Sequence, residues 1–363
     1  MDMIALNKLC KKGVSSLRQK DVENDGPYPV YGASGIVGYS ADYQNEERYV
    51  AVIKDGAGVG RVCICEPKSS VLGTMQALLP AEGVNCDYLL HLVRSMKLGD
   101  GFTGSTIPHI YFKDYGKRIV VEHGSKEQRQ IAESLYAVEA QAAALRAQSE
   151  RLDELVKSRF VEMFGSGDYP TVPLANCVDS IDSGKSPKCN SASRSGGNPA
   201  VLKLSAISSG VYLESENKEL LPGESIVQSK EVIAGDILLA RKNTPELVGK
   251  SVYVSATEGN IMFPDIVFRM HPISSVNGIY LSCLLSGPLF DSIRALAHGS
   301  AKSMSNIPKT ELAKLQIPVP PLDLQQEFAA FVQQVDKLKF ETQQAVEKLQ
   351  MLYDSLAQEY FGS

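Results

Sequence analysis

Residues 128–166 read QRQIAESLYAVEAQAAALRAQSERLDELVKSRFVEMFGS, and residues 325–363 read QQEFAAFVQQVDKLKFETQQAVEKLQMLYDSLAQEYFGS. The two stretches align at a constant offset of 197 residues, without insertion or deletion. Both open on glutamine (Gln128, Gln325) and carry alanine four residues on (Ala132, Ala329). Both have glutamate near the end (Glu162, Glu359) and stop on Phe-Gly-Ser. A repeat of this kind sets the architecture before any local motif does.

Each copy spells a long helix with one apolar seam. In the first, the seam runs Ile131, Leu135, Val138, Ala142, Leu145, Ser149, Leu152, Val156, Arg159, Met163. In the second it runs Phe328, Val332, Val335, Lys339, Thr342, Val346, Leu349, Tyr353, Leu356, Tyr360. Steps of four and three alternate, the spacing of heptad a and d positions. No Gly or Pro interrupts either run, and strong helix formers dominate. Gly124-Ser125 precedes the first helix and Pro320-Pro321 the second, while Gly165 and Gly362 stand where a C-cap belongs. At 1.5 Å per residue each helix is about 55–60 Å long. Two amphipathic helices lying on a globular body would tolerate a looser pattern. Heptads sustained this long predict a helix–helix seam, with Lys339, Ser149 and Thr342 as register-setting departures.

The chain of 363 residues is long enough for two domains with proper cores. Hydrophobic residues make up 44% and charged residues 22%, as in ordinary water-soluble proteins. No run of 18 apolar residues exists and Met1-Asp2-Met3-Ile4 lacks a signal-peptide pattern, so a cytoplasmic location is expected. Seven scattered cysteines form no C-x-x-C pair, which reads as reduced thiols with no metal site. The net charge of −5 lies entirely in the helices. Residues 1–122 and 165–321 each balance 14 basic against 14 acidic side chains, so a basic face on either body is compatible with the composition.

Residues 1–122 form a first globular domain with short strands between Gly-rich turns. Tyr49 to Ile53 reads as a buried strand, followed by the tight turn Lys54-Asp55-Gly56-Ala57-Gly58-Val59-Gly60-Arg61. A helix is predicted over Asp87 to Met96 and a strand over Arg118 to Val121. Residues 123–166 hold the first long helix, 167–321 a second globular domain and 322–363 the second helix. The second domain retraces the first as a looser copy. Asp236 to Arg241 stands for the buried strand, Gly249-Lys250-Ser251-Val252 echoes Gly60-Arg61-Val62, and Ile279-Tyr280-Leu281 echoes Asp87-Tyr88-Leu89. Gly299 to Pro308 is matched with Gly104-Ser105-Thr106-Ile107-Pro108 through the shared Ile-Pro. Helices that keep their length while the globular parts diverge suit one kind of shared partner and two different targets.

Catalytic signatures fail on inspection. Gly184-Lys185-Ser186 and Gly249-Lys250-Ser251 resemble the end of a P-loop, but Asp179 and Thr244 occupy the position of its first glycine. Gly56, Gly58 and Gly60 lack dinucleotide-loop spacing, Pro264-Asp265 has no Glu-x-Lys at nuclease distance, and no Asn-Pro-Pro-aromatic element is present. His91, His109, His123, His271 and His298 have no partnering nucleophile motif. The chain is therefore read as performing no chemistry alone. Its polar and basic loops are candidates for phosphate and base-edge contacts: Lys54, Arg61, Ser105, Thr106 and His109 in the first domain, and Lys203, Arg241, Lys242, Asn243, Lys250, Lys302 and Ser303 in the second.

Tyr28-Pro29-Val30-Tyr31-Gly32-Ala33-Ser34-Gly35, the loop Gly104-Ser105-Thr106-Ile107-Pro108, the junction Ile317-Pro318-Val319-Pro320-Pro321-Leu322-x-x-Gln325 and the duplicated helices together resemble the specificity subunit of type I restriction–modification systems. The resemblance covers essentially the whole chain. The first junction departs from it, reading Ile119-Val120-Val121-Glu122-His123-Gly124-Ser125 without Pro-Pro. The resemblance implies an α+β fold in which two target-recognition domains of mixed α/β structure are separated by two antiparallel helices forming a coiled-coil spacer. It implies double-stranded DNA as a partner, each domain reading half of a bipartite site. Two copies of a methylation subunit would dock on the helices and domain flanks, around Ile131, Leu135, Val138, Leu145, Leu152, Val156, Phe328, Val332, Val335, Val346, Leu349 and Tyr353. Nuclease-translocase subunits would join for restriction. S-adenosylmethionine, ATP and Mg2+ would sit on those partners and none on this chain. The other reading open to the sequence is a coiled-coil adaptor that never touches DNA.

Overall fold

The computed structural model describes residues 2–104, 107–299 and 304–362. It divides into two compact units, Met1–Ser149 with Glu341–Ser363, and Glu150–Phe340. The long helices Ser125–Phe164 and Leu322–Phe361 each give part of their length to either unit. The units thus do not stop where the composition changes at residues 122 and 321; each globular body takes in stretches of both helices.

The first unit is built on a four-stranded antiparallel sheet in the order Cys10–Lys12, Met75–Pro80, Tyr49–Ile53, Val62–Cys65. All five residues of Tyr49–Ile53 are buried because both faces of the sheet are covered. Val50 and Val52 point into a core shared with the helix Cys86–Ser95 and the two long helices. Tyr49, Ala51 and Ile53 point the other way, into a core with Val71 and Met75. A three-stranded sheet, Gly35–Ser40, Tyr28–Gly32, Ser70–Val71, includes one parallel pair. Asp2–Ala5 pairs with Ile119–Glu122, placing the entry to the body beside its exit into the helix.

The second unit repeats these sheets and adds the two-stranded pair Lys242–Asn243 with Ser305–Asn306. Its four-stranded sheet runs Val178–Ser183, Val267–Pro272, Ile237–Ala240, Ser251–Tyr253. Ile237 and Leu239 face one core, Leu238 and Ala240 the other. The three-stranded sheet Asn217–Glu219, Ala200–Leu202, Ile261–Met262 again has one parallel pair. Thr171–Pro173 with Gln316–Pro318 again joins entry to exit. The mixed α+β duplication expected from sequence is the observed fold.

Every seam position of both helices is buried or half-buried. In the second unit the helices run antiparallel, since Arg159 pairs with Glu327 (3.0 Å) and Asp153 with Lys339 (2.5 Å). Lys339, the charge out of place in the heptad, thereby meets a carboxylate on the facing helix. The seam widens beyond a and d where the helices meet the bodies: Phe160, Phe164, Ala329, Ala357 and Phe361 are also buried. Gly165 and Gly362 end the helices with N–H bonds to Val161 and Gln358 carbonyls (2.8 Å each), but neither takes the left-handed cap conformation expected of them.

The repeated glutamines have a structural reason. The Asn85 N–H donates to Gln128 Oε1 (2.9 Å), and Gln128 Nε2 donates to the His123 carbonyl (2.8 Å). In the second unit the Asn277 N–H donates to Gln325 Oε1 (2.8 Å), and Gln325 Nε2 donates to the Pro320 carbonyl (2.8 Å). Asn85 and Asn277 are also the N-caps of the short helices Cys86–Ser95 and Gly278–Ser286. Three residues on, the Tyr88 and Tyr280 hydroxyls donate to the Val121 and Pro318 carbonyls (3.0 and 2.9 Å). Each body is thus clamped to the root of its following helix by the same half-buried Asn and buried Tyr and Gln.

His91 adds a further tie within the first unit. Its ring is fully buried, lies edge-to-face on Tyr136 of one long helix, and bonds through Nδ1 to the Tyr353 hydroxyl of the other (2.9 Å). Burial, assisted by Arg94, lowers its pKa to about 4. A histidine held neutral below its unfolded value of about 6.5 stabilises the fold above that value, and the contribution is lost as pH falls through the folded value. The expected loss between pH 6.5 and 4 is about 3 kcal/mol. Urea midpoints at pH 7 and 4.5 check it: the wild type should fall more steeply than His91→Asn.

Candidate functional site

The turns that follow the two buried strands have matching backbone bonds. Gly60 N–H donates to the Ile53 carbonyl and Ile53 N–H to the Arg61 carbonyl (2.8 and 2.9 Å). Gly249 N–H donates to the Ala240 carbonyl and Ala240 N–H to the Lys250 carbonyl (2.8 Å each). Gly60 has φ +84°, and a Cβ there would lie 2.1 Å from the Gly99 backbone nitrogen, so only glycine fits this turn. A second loop docks on each turn. Ile110 N–H donates to the Lys54 carbonyl (3.0 Å), and Ile307 N–H donates to the Arg241 carbonyl (2.8 Å).

That bond corrects the loop alignment read from sequence. The partner of Ile307 is Ile110, three residues beyond Ile107. Ile107 is 52% exposed, whereas Ile110 is 7% and Ile307 0% exposed. The shared Ile-Pro dipeptide misled because proline marks the loop but burial selects the isoleucine. The described ends of each docking loop are paired. Thr103 and His109 exchange both backbone bonds (2.7 and 2.9 Å), as do His298 and Asn306 (2.9 Å each). The second loop is two residues longer.

In the first unit the structure gathers Lys54, Arg61 and His109 around this loop. Lys54 Nζ lies 2.7 Å from Asp55 Oδ2, and His109 Nδ1 lies 2.6 Å from Asp55 Oδ1. Partial burial works to raise the Asp55 carboxyl, but the Lys54 and His109 bonds outweigh it and hold it below the usual carboxylate range. Arg61 is exposed and has no side-chain partner among the described residues. The exposed rings of Phe102 and Tyr111 lie close by in sequence, with Lys113 Nζ 5.2 Å from the centre of the Tyr111 ring. Sequence reading passed over Asp55, Phe102 and Tyr111; an aromatic flanking a basic loop was the available signal. Ser105 and Thr106 lie outside the described residues.

In the second unit Arg241, Lys242 and Asn243 come together on the turn, but their roles differ. The Arg241 guanidinium lies over the Phe268 ring (4.9 Å), donates to Ser183 Oγ (3.1 Å), and donates through Nε and a terminal nitrogen to Asn306 Oδ1 (3.4 and 3.3 Å). Asn243 is buried and accepts from the Thr244 N–H (2.8 Å). Lys250 Nζ lies 4.8 Å from the centre of the Phe290 ring. Lys242 is half-buried, its side chain without a partner among the described residues. Lys203 stands apart, beside the three-stranded sheet, with its Nζ 3.7 Å from Glu216. Lys302 and Ser303 lie outside the described residues.

The seam residues named as docking candidates are taken up inside the chain. Ile131, Leu135, Val138, Phe328, Val332, Val335, Val346 and Tyr353 are buried, and Leu145, Leu152, Val156 and Leu349 half-buried. A partner docking on the helices would instead meet exposed apolar residues off the seam, such as Leu155, Val161, Phe340 and Met351. No described helix is long and apolar enough to cross a membrane.

Two α+β units of one topology, each taking in stretches of both long helices and each with a loop docked on the turn after its buried strand, define a duplicated architecture. Comparison with known proteins gives its family. The type I restriction modification DNA specificity domain matches residues 168–350, half of the chain, and the chain belongs to that family. It is 32% identical over 190 residues to the specificity subunit of the type I restriction enzyme EcoEI of Escherichia coli. That match covers 50% of this chain and 32% of the relative, so it spans about a third of that relative's length. The fold is similar to the S subunit of a type I restriction-modification system from M. genitalium, with a TM-score of 0.58 and 14% identity over 100% of this chain and 96% of that one. It is also similar to a chain from a structure of type I R-M system assembly and conformational transition, with a TM-score of 0.55 and 16% identity over 99% and 97%.

Proposed function

We propose that the chain is the DNA-reading subunit of a type I restriction–modification complex, each globular unit reading one half of a bipartite site. One observation carries this: the same loop-on-turn construction recurs in both units with different side chains mounted on it. A conserved frame with exchanged side chains is what two readers of different sequences need. The chain itself would be non-catalytic. Two methylation subunits, docking on the exposed faces of the helices, would bring S-adenosylmethionine and modify adenine. Nuclease subunits using ATP and Mg2+ would complete restriction.

Among the basic loop residues, Arg61 and Lys242 have side-chain nitrogens free of partners within the described chain, and they would meet phosphate. Lys242→Ala should weaken DNA binding by about tenfold and lower the salt slope by about one, with base preference kept. Salt-titrated gel shifts of the complex read both quantities.

The reading is tested by co-expressing the chain with its methylation subunit and mapping modified adenines by single-molecule sequencing. A split motif with a fixed gap, altered in one half when residues 1–122 are exchanged, supports it. A stable complex that neither modifies nor shifts DNA overturns it in favour of an adaptor.

A further inference from the structure

The motif Gly184-Lys185-Ser186 lacks the first glycine of a nucleotide-binding loop, and the fold gives it another place. It follows the edge strand Val178–Ser183 of the second unit and packs on residues 263–267. The Gly184 N–H donates to the Val267 carbonyl (3.3 Å) and the Lys185 N–H to the Phe263 carbonyl (3.0 Å). A Cβ at Gly184 would collide with the Phe263 and Pro264 carbonyl oxygens, so glycine permits this close approach. Ser186 Oγ donates to Asp265 Oδ1 and accepts from the Asp265 N–H (3.3 Å). The Leu221 N–H donates to the Lys188 carbonyl (3.1 Å), which ties the far end of the loop. The turn at residues 241–243 leans on the same support. The Arg241 and Lys242 N–H groups both donate to the Ile266 carbonyl (3.0 and 3.3 Å), and the Arg241 guanidinium donates to Ser183 Oγ, next to Gly184 (3.1 Å).

The backbone of the loop is pinned while its cationic ends stay loose. Lys185 and Lys188 are exposed, and neither side chain has a partner among the described residues. Lys242 on the adjoining turn is likewise unpartnered there. The carboxylates at hand are occupied, Asp265 by Ser186 and Asp182 by Arg269 (3.0 Å). Three cations without counter-charges, on two segments that share one support, form a surface for a polyanion. A lysine is a compact point charge on a flexible stem, which suits a phosphate more than a base edge that must be read at fixed geometry. We propose that Lys185 and Lys188 contact phosphates of duplex DNA, extending onto the edge-strand loop the backbone contact made by Lys242. The inference rests on the DNA-reading function proposed above. It adds to the second unit a hold that the same loop of the first unit lacks, since residues 13–17, after the edge strand Cys10–Lys12, include no lysine or arginine.

The test uses the full chain in complex with its methylation subunit. Binding to a duplex with the mapped motif and to one without it is measured across a salt series, with thermal unfolding recorded alongside. The proteins are the wild type, Lys242→Ala, Lys185→Ala combined with Lys188→Ala, and Lys185→Arg combined with Lys188→Arg. The double alanine variant should bind both duplexes about tenfold or more weakly and lower the slope of log affinity against log salt by about two. The affinity ratio between the duplexes and the unfolding temperature should stay as in the wild type. The double arginine variant keeps both charges and should keep affinity and slope. An unchanged salt slope in the double alanine variant overturns the proposal. So does a loss confined to the duplex with the motif, which would make the lysines base contacts. Release of the methylation subunit from the double alanine variant also overturns it, by assigning the lysines to a protein partner. If Lys242→Ala lowers the slope and the double alanine variant does not, the DNA-reading function stands and this inference falls. A wild-type complex that holds neither duplex removes that function and the inference with it.

Discussion

Phe328→Ala should destabilise the chain by about 3–5 kcal/mol, the usual cost of emptying a well-packed phenylalanine site. Phe328 is fully buried and is met edge-on by Phe160 and Phe164 of the facing helix, with ring centres 5.3 and 5.4 Å away. Tyr280 packs on the same pair, stacked at 5.8 Å on Phe160 and edge-on at 4.8 Å to Phe164. The Phe160–Phe164 pair therefore links Phe328 of the other long helix to Tyr280 of the short helix of the second unit. Truncation loses the aromatic contacts and leaves a cavity that rigid helices cannot close. Phe328→Leu should recover part of the loss. Urea unfolding of both variants checks this, and a cost below about 1 kcal/mol for the alanine variant would contradict the packing described.

Gln325→Leu should cost about 2–5 kcal/mol although it preserves volume, because it orphans two buried backbone groups. Gln325 is fully buried, accepts from the Asn277 N–H and donates to the Pro320 carbonyl, each at 2.8 Å. Leucine can do neither. The Asn277 N-cap, which accepts from the Ile279 and Tyr280 N–H groups, is held by the same bond. Gln325→Glu should do no better at neutral pH, since its carboxylate cannot donate to the Pro320 carbonyl and would bury an unpaired charge. Hydrogen exchange at Ile279 and Tyr280, faster in the leucine variant than in wild type, would locate the damage at the clamp. Unaltered exchange would show that the clamp bears little strain.

The architecture was legible because it is written in local, periodic signals. The heptads of Ile131 to Met163 and Phe328 to Tyr360 placed every seam residue correctly, since helical periodicity depends only on neighbours in the chain. Tyr49–Ile53 and its counterpart Ile237–Ala240 were legible for the same reason, as short continuous apolar runs between turns. The duplication itself needed only the offset of 197 residues and the two glutamines.

What tertiary structure alone decided concerns pairs far apart in sequence. Nothing local tells that Ile110 and not Ile107 is the equal of Ile307, because burial depends on which strand end the loop meets. Nor does composition show that the Arg241 guanidinium is bound to Ser183 and Asn306, 58 and 65 residues away, while Lys242 beside it has no partner among the described residues. His91 reads as a lone histidine until Tyr353, 262 residues later, arrives at its Nδ1. Sequence by itself determined the repeat, the helices and the buried strands, which follow from short-range periodicity and the need to cover apolar faces. The structure decided which charged and polar side chains are already paired, because a hydrogen bond is set by distances that only the folded chain brings into being.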